Sequence, residues 1–125
     1  MKKYVMAQIS VPGLHSWSNC NIESVSFLKD LHRHIFIIKV TLEVFDDDRE
    51  IEFFVLQNKI KNAIKTRFVT STFDLYNFEN NSCEMIASFL CEKFINIYCY
   101  SKNRDIKVEV MEDGENGGIV VYEKE

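Results

Sequence analysis

The chain reads as an α+β fold with the element order ββααββ, and three patterns in the sequence predict it. Residues 31–44, LHRHIFIIKVTLEV, alternate with period two over an unusual length. Two stretches in the middle of the chain carry apolar residues at helical spacing. A third pattern closes the chain, where two short alternating runs flank a Gly-rich turn. Together they predict a four-stranded antiparallel sheet with two helices packed on one face, formed by residues 1–125 as a single domain.

The first strand is expected over residues 2–12, where Val5, Ala7, Ile9 and Val11 share one parity. Pro12-Gly13 is a turn signal and is expected to end it. Residues 16–30 show no clear period and read as a long functional or interface loop. In the long second strand His32, His34, Phe36, Ile38, Val40, Leu42 and Val44 fall on one face. Asp46-Asp47-Asp48 then makes a charged turn, either a cation contact or simply solvated, and residues 51–53 are expected to extend the sheet briefly. A helix follows, with Val55, Leu56, Ile60, Ala63, Ile64 and Phe68 near one stripe. Its Lys59, Lys61, Lys65 and Arg67 lie off that stripe, as a solvated face or a phosphate contact. Residues 70–80 read as a connection. Asn81-Ser82-Cys83-Glu84 looks like the start of a second helix capped by Asn81, with Ile86, Phe89, Leu90, Phe94 and Ile97 as its buried stripe. The final hairpin sets Ile106, Val108 and Val110 on one face and turns through residues 113–118 into Ile119–Tyr122.

Composition narrows the class. With 125 residues, 46% hydrophobic and 13% aromatic, the chain can bury a substantial core. A formal charge of −4 gives no electrostatic basis for general nucleic-acid binding. No apolar run is long enough to span a bilayer and no signal peptide is visible, so a cytoplasmic protein is expected. Cys20, Cys83, Cys91 and Cys99 form no Cys-x-x-Cys pair and suit reduced, mostly buried thiols.

The candidate chemistry lies in the histidines. His32 and His34 stand side by side on one strand face, and the parity of Val5 to Val11 continues to His15. These are the three histidines of the chain. They are either a metal site or solvated strand ends. Glu112 shares the parity of Val110 on the apolar face, where a carboxylate is expensive unless paired. Either the strand frays there, or the acid is held to bind a cationic or N–H-rich group.

With these motifs in this order, the sequence resembles the 6-pyruvoyltetrahydropterin synthase and 6-carboxytetrahydropterin synthase family, the T-fold pterin enzymes. His15 matches the family's first zinc histidine, and His32-Arg33-His34 its His-Gly-His pair. Asn81-Ser82-Cys83-Glu84 is similar to its Asn-Pro-Thr-x-Glu helix start, one residue shorter. Val110-Met111-Glu112 matches the Val-x-Glu whose acid grips the pterin's amidine edge. The resemblance implies a Zn2+ ion on His15, His32 and His34, with an open position, and a small heterocyclic ligand, a pterin or purine nucleotide, held by Glu112. It also implies a homo-oligomer in which three sheets close into a barrel and two barrels stack as a hexamer.

The chain also departs from that pattern. Leu28 stands where the family's nucleophilic cysteine would be, Asp74-Leu75 replaces an Asp-His acid–base pair, and Arg33 replaces the middle glycine. Departed sequences of this kind look like those carried by bacteriophages, which would place the protein in a host cytoplasm. No catalytic residue can be assigned on these grounds. The expected function is binding or sequestration of a purine- or pterin-like ligand by Glu112, Asp74 and Arg33. The alternative is a zinc-dependent lyase acting on a dihydroneopterin triphosphate-like substrate, with Cys20, Glu23 or Asp30 as a relocated base.

Overall fold

The computed structural model describes residues 1–70 and 74–125. Two long strands, β1 (Lys3–His15) and β2 (His32–Val44), are linked by a loop containing a 3₁₀ helix (Glu23–Lys29). Helix α1 (Phe53–Arg67), the two-residue strands β3 (Val69–Thr70) and β4 (Tyr76–Asn77), and helix α2 (Cys83–Tyr98) follow. Strands β5 (Ile106–Glu112) and β6 (Asn116–Tyr122) form the closing hairpin. The sheet has six strands in the order β3-β4-β1-β2-β5-β6, rather than the four expected. The four long strands are antiparallel, but β4 joins β1 in parallel over Gly13 and Leu14, so the sheet is mixed. The additional strands are too short for a period to register in the sequence. Part of the connection that holds them, residues 71–73, lies outside the described residues.

Both helices cover the face carrying Ala7, Ile9, Phe36, Ile38, Val40, Leu42, Val108 and Val110, which are buried together with Leu56, Ile60, Ile64, Ile86, Leu90 and Phe94. Val55 departs from the expected α1 stripe and is exposed, as are Phe53 and Phe54. Residues 51–53 do not extend the sheet. Glu52 caps α1 instead, its carboxylate accepting from the Phe54 and Val55 N–H groups. On α2 the capping side chain is Ser82, accepting from Met85 N–H, and not Asn81.

Pro12-Gly13 does not end β1. Pro12 lies opposite Ile35, whose N–H and C=O both engage Asp113 on the other side of β2. The missing N–H of Pro12 therefore faces the outer edge of β1, where a proline costs the ladder nothing. The strand runs on to His15, which pairs with His32. Gly13 is needed for packing. A Cβ there would lie 2.5 Å from the Phe78 ring and 2.7 Å from that of Phe36, two rings that pack with centroids 4.6 Å apart. Gly118 similarly admits the first turn of α2, since a Cβ would lie 3.0 Å from the Glu84 nitrogen.

The end of the sheet remote from the histidines is tied down by ion pairs. Buried Arg104 bonds the Tyr98 and Glu43 carbonyls and Glu50 at 2.8 Å, while Lys124 reaches Glu43 and Lys2 reaches Asp105. The Asp105 N–H, with help from Lys124, holds the buried Glu43 carboxyl below its ordinary range. The opposite sheet face leaves Tyr4, Met6, Ile35, Ile119 and Val121 exposed.

Replacing Gly13 with Ala forces the Phe36–Phe78 pair apart and should destabilise the fold by about 1–3 kcal/mol, the usual cost of overpacking. Urea denaturation read by fluorescence measures it; unchanged stability would show that the rings have room to move.

Candidate functional site

The register of three adjacent strands builds the site. Pairing of His15 with His32 and of Gly13 with His34 places the three imidazoles on the helix-covered face at one end of the sheet. Their ring centroids are 4.6, 5.1 and 5.3 Å apart. One nitrogen from each lies within 4.8 Å of the others, a set that could hold a metal ion. Strand β5 brings Glu112 opposite Phe36, beside His34, with its carboxylate 3.2 Å from His15 Nε2 and 3.4 Å from His34 Nε2.

Each ring is oriented from behind. His15 Nδ1 bonds the Asn81 carbonyl at 2.9 Å, His32 Nδ1 the Asp30 carbonyl at 2.8 Å, and His34 Nδ1 the Asp113 carboxylate at 2.7 Å. Carbonyl and carboxylate oxygens only accept, so every Nδ1 carries the proton and every Nε2 is left for the hollow. That second set of contacts is how proteins commonly fix the tautomer of metal-binding histidines. Burial keeps the His15 imidazole below its ordinary pKa, against the opposing pull of the Asn81 carbonyl and Glu112. His34 Nε2 is enclosed and makes no hydrogen bond, its 3.4 Å approach to Glu112 being an ionic separation only. An unpaired buried acceptor costs about 1–3 kcal/mol, and a cation in the hollow would remove that cost. The donor set fits Zn2+, which takes imidazole nitrogens readily.

A cavity of about 450 Å³ opens beside His15, His32 and Glu112, walled by Trp17, Leu28, Cys83 and Met85. The loop that forms one wall is pinned where Trp17 N–H donates to the Leu28 carbonyl at 2.8 Å and Ser16 N–H to that of Glu79. A second concavity of about 460 Å³, on the open face at the other end, contains Lys2, Lys107 and Lys124. Two of these lysines are already paired with Asp105 and Glu43, and Lys107 lies 3.9 Å from Glu109.

The remaining sequence candidates are dispersed. Arg33 is exposed on the opposite sheet face from the histidines, as its parity requires. Asp74 is exposed, with a φ of 55°, and does not line the cavity. Cys20 is buried against the Ile22 and Val25 carbonyls, Glu23 is exposed, and Asp30 contributes its backbone oxygen alone. The sequence reading passed over two others. Asp113 was absorbed into a turn, yet it holds both His34 and the Ile35 N–H, at a left-handed φ of 56°. Cys83 was assigned to the α2 core, yet it lines the cavity with its thiol 3.5 Å from Glu112. Extending the β2–β5 register one residue past Glu112 would have found Asp113.

These elements define a mixed α+β protein with the T-fold architecture. No protein-family model and no curated protein matches the chain. Solved structures do. An uncharacterized protein of Wolinella succinogenes matches with a TM-score of 0.71 at 14% identity, over 98% of this chain and 99% of that one. The 6-pyruvoyltetrahydropterin synthase of Plasmodium falciparum matches with a TM-score of 0.66 at 16% identity, over 97% and 98%. A catalytic-residue mutant of the Plasmodium vivax enzyme gives 0.66 at 12% identity, over 98% of both chains. At such identities the likeness is one of fold. No helix among the described residues is long and apolar enough to cross a membrane.

Burial, reinforced by Glu112, pushes the Cys83 thiol up to about 12. At neutral pH it is a protonated donor and a poor nucleophile. Iodoacetamide at pH 8 should therefore modify Cys83 at least about a hundredfold more slowly than a free cysteine, until the protein is unfolded. Peptide mass spectrometry reads this, and fast modification of the folded chain would contradict it.

Proposed function

We propose that this chain is a metal-bearing T-fold protein that binds and sequesters a purine- or pterin-like heterocycle without turning it over. The observation that carries the reading is the meeting of three Nδ1-anchored histidines beside a cavity that also admits Glu112. His15, His32 and His34 would hold Zn2+, which when bound supplies a Lewis acid for a ligand oxygen. Glu112 would accept paired N–H bonds from a guanidine-like ring edge, a charge-assisted and directional contact. Trp17, Leu28 and Met85 supply the apolar walls that a flat heterocycle fills.

Proton transfer is the part for which the cavity is poorly equipped. Leu28 occupies the wall where the resembled enzymes carry their nucleophile. Cys83 is held protonated, and Cys20, Glu23 and Asp30 direct no side chain into the cavity. These features favour retention of the ligand over the lyase alternative. The exposed Tyr4, Met6, Ile35, Ile119 and Val121, on a sheet whose β6 edge is unpaired, favour assembly of several copies through their sheets. We take that assembly to be a barrel of three, stacked in pairs.

Purified protein should contain close to one zinc per chain by elemental analysis, and His32→Ala should lose it. Incubated with guanine nucleotides, reduced pterins or dihydroneopterin triphosphate, it should retain one of them and release it chemically unchanged on denaturation. Release of triphosphate from the last compound, abolished by a chelator, would overturn sequestration and establish the lyase.

A further inference from the structure

The contact between Glu112 and the histidines cannot be an ordinary hydrogen bond. With Nδ1 of His15 and His34 committed as donors to the Asn81 carbonyl and the Asp113 carboxylate, neutral rings turn bare lone pairs toward the hollow. An ionised carboxylate is likewise an acceptor only. Yet Glu112 divides its two oxygens between them, Oε1 at 3.2 Å from His15 Nε2 and Oε2 at 3.4 Å from His34 Nε2. Acceptors facing acceptors at this range repel unless a positive charge lies between them. The separations suit a metal: nitrogen and oxygen ligands about 2.0–2.1 Å from zinc, placed tetrahedrally, stand about 3.3 Å from one another.

The local backbone aims the carboxylate at the rings. Glu112 is the last residue of β5, opposite Phe36, and the left-handed Asp113 behind it is anchored to Ile35 through both its N–H and its side chain. The Cys83 thiol donates to Oε1 from the α2 side at 3.5 Å. The acid is thus held on two sides and directed at the histidines, although it also borders the cavity.

We propose that Glu112 is a fourth metal ligand in the ligand-free protein, closing the coordination position that the three histidines leave open. This rests on the reading that His15, His32 and His34 carry a metal. It deepens that reading by giving Glu112 two roles in turn, on the metal when the cavity is empty and on the heterocycle's N–H edge when it is filled. Metal affinity and heterocycle affinity then oppose each other through one carboxylate, and the coupling is reciprocal.

The test uses Co2+ alone, in the full-length protein, with no organic ligand present. Wild type should bind it with the intense visible absorption of a four-coordinate site. E112Q, and E112D with its shorter reach and retained charge, should each bind at least tenfold more weakly with an altered band pattern. E112D keeps the question answerable if E112Q folds poorly. Unchanged affinity and spectrum in the Glu112 variants, with binding lost in H32A, would overturn the fourth-ligand role and leave the three-histidine site standing. Absence of Co2+ binding in wild type would overturn both, leaving protonated imidazoles as Glu112's partners.

Discussion

The register between β1 and β2 is the constraint on which everything else in this molecule depends. It sets Val11 against Phe36 in the core and, two pairs further along, His15 against His32. A slip of one residue would turn one strand's apolar row to the open face. The same slip would carry His15 to the opposite side of the sheet from His32 and His34. Core packing therefore enforces the geometry of the site. The apolar residues that make the fold stable fix where the polar ones meet, and the site needs no separate scaffold.

Glycine and proline choices extend that constraint into the last turn of each element. Pro12 survives in a paired strand because its nitrogen faces an unpaired edge. Gly13 clears space for the Phe36–Phe78 stack beneath the histidines, and Gly118 lets α2 begin close to β6. The α2 start then delivers two groups to the site, the Asn81 carbonyl behind His15 and the Cys83 thiol beside Glu112. The left-handed Asp113 completes the arrangement from the hairpin. Residues that serve as backbone punctuation elsewhere act here as positioning devices.

Much of this was legible in the sequence because a strand has a strict period. Parity alone aligned His15 with the first strand's core face, put His32 and His34 on the second's, and raised the question of Glu112. Parity also assigned Arg33 to the opposite face. What stayed hidden depends on contacts between elements rather than on local pattern. The two-residue strands β3 and β4 have no period to detect. A turn signal at Pro12-Gly13 suggested a strand end, because nothing in the sequence says which edge the proline nitrogen faces. The roles of Asp113, Asn81 and Cys83 emerge only once β5 and α2 are docked beside β2. Departures from the resembled enzymes, Leu28 above all, were visible from the start, and the structure adds that no other side chain refills that place on the cavity wall.

Among T-fold structures at 12–16% identity, shared architecture leaves function open, and the decision passes to the side chains. Here they form a nitrogen-rich, anionic hollow with its thiol turned toward Glu112. X-ray absorption at the zinc edge of the purified protein addresses that hollow most directly. The account predicts imidazole scattering from several histidines with a light oxygen neighbour and no sulfur in the coordination shell. A sulfur scatterer, or a spectrum free of imidazole, would contradict it.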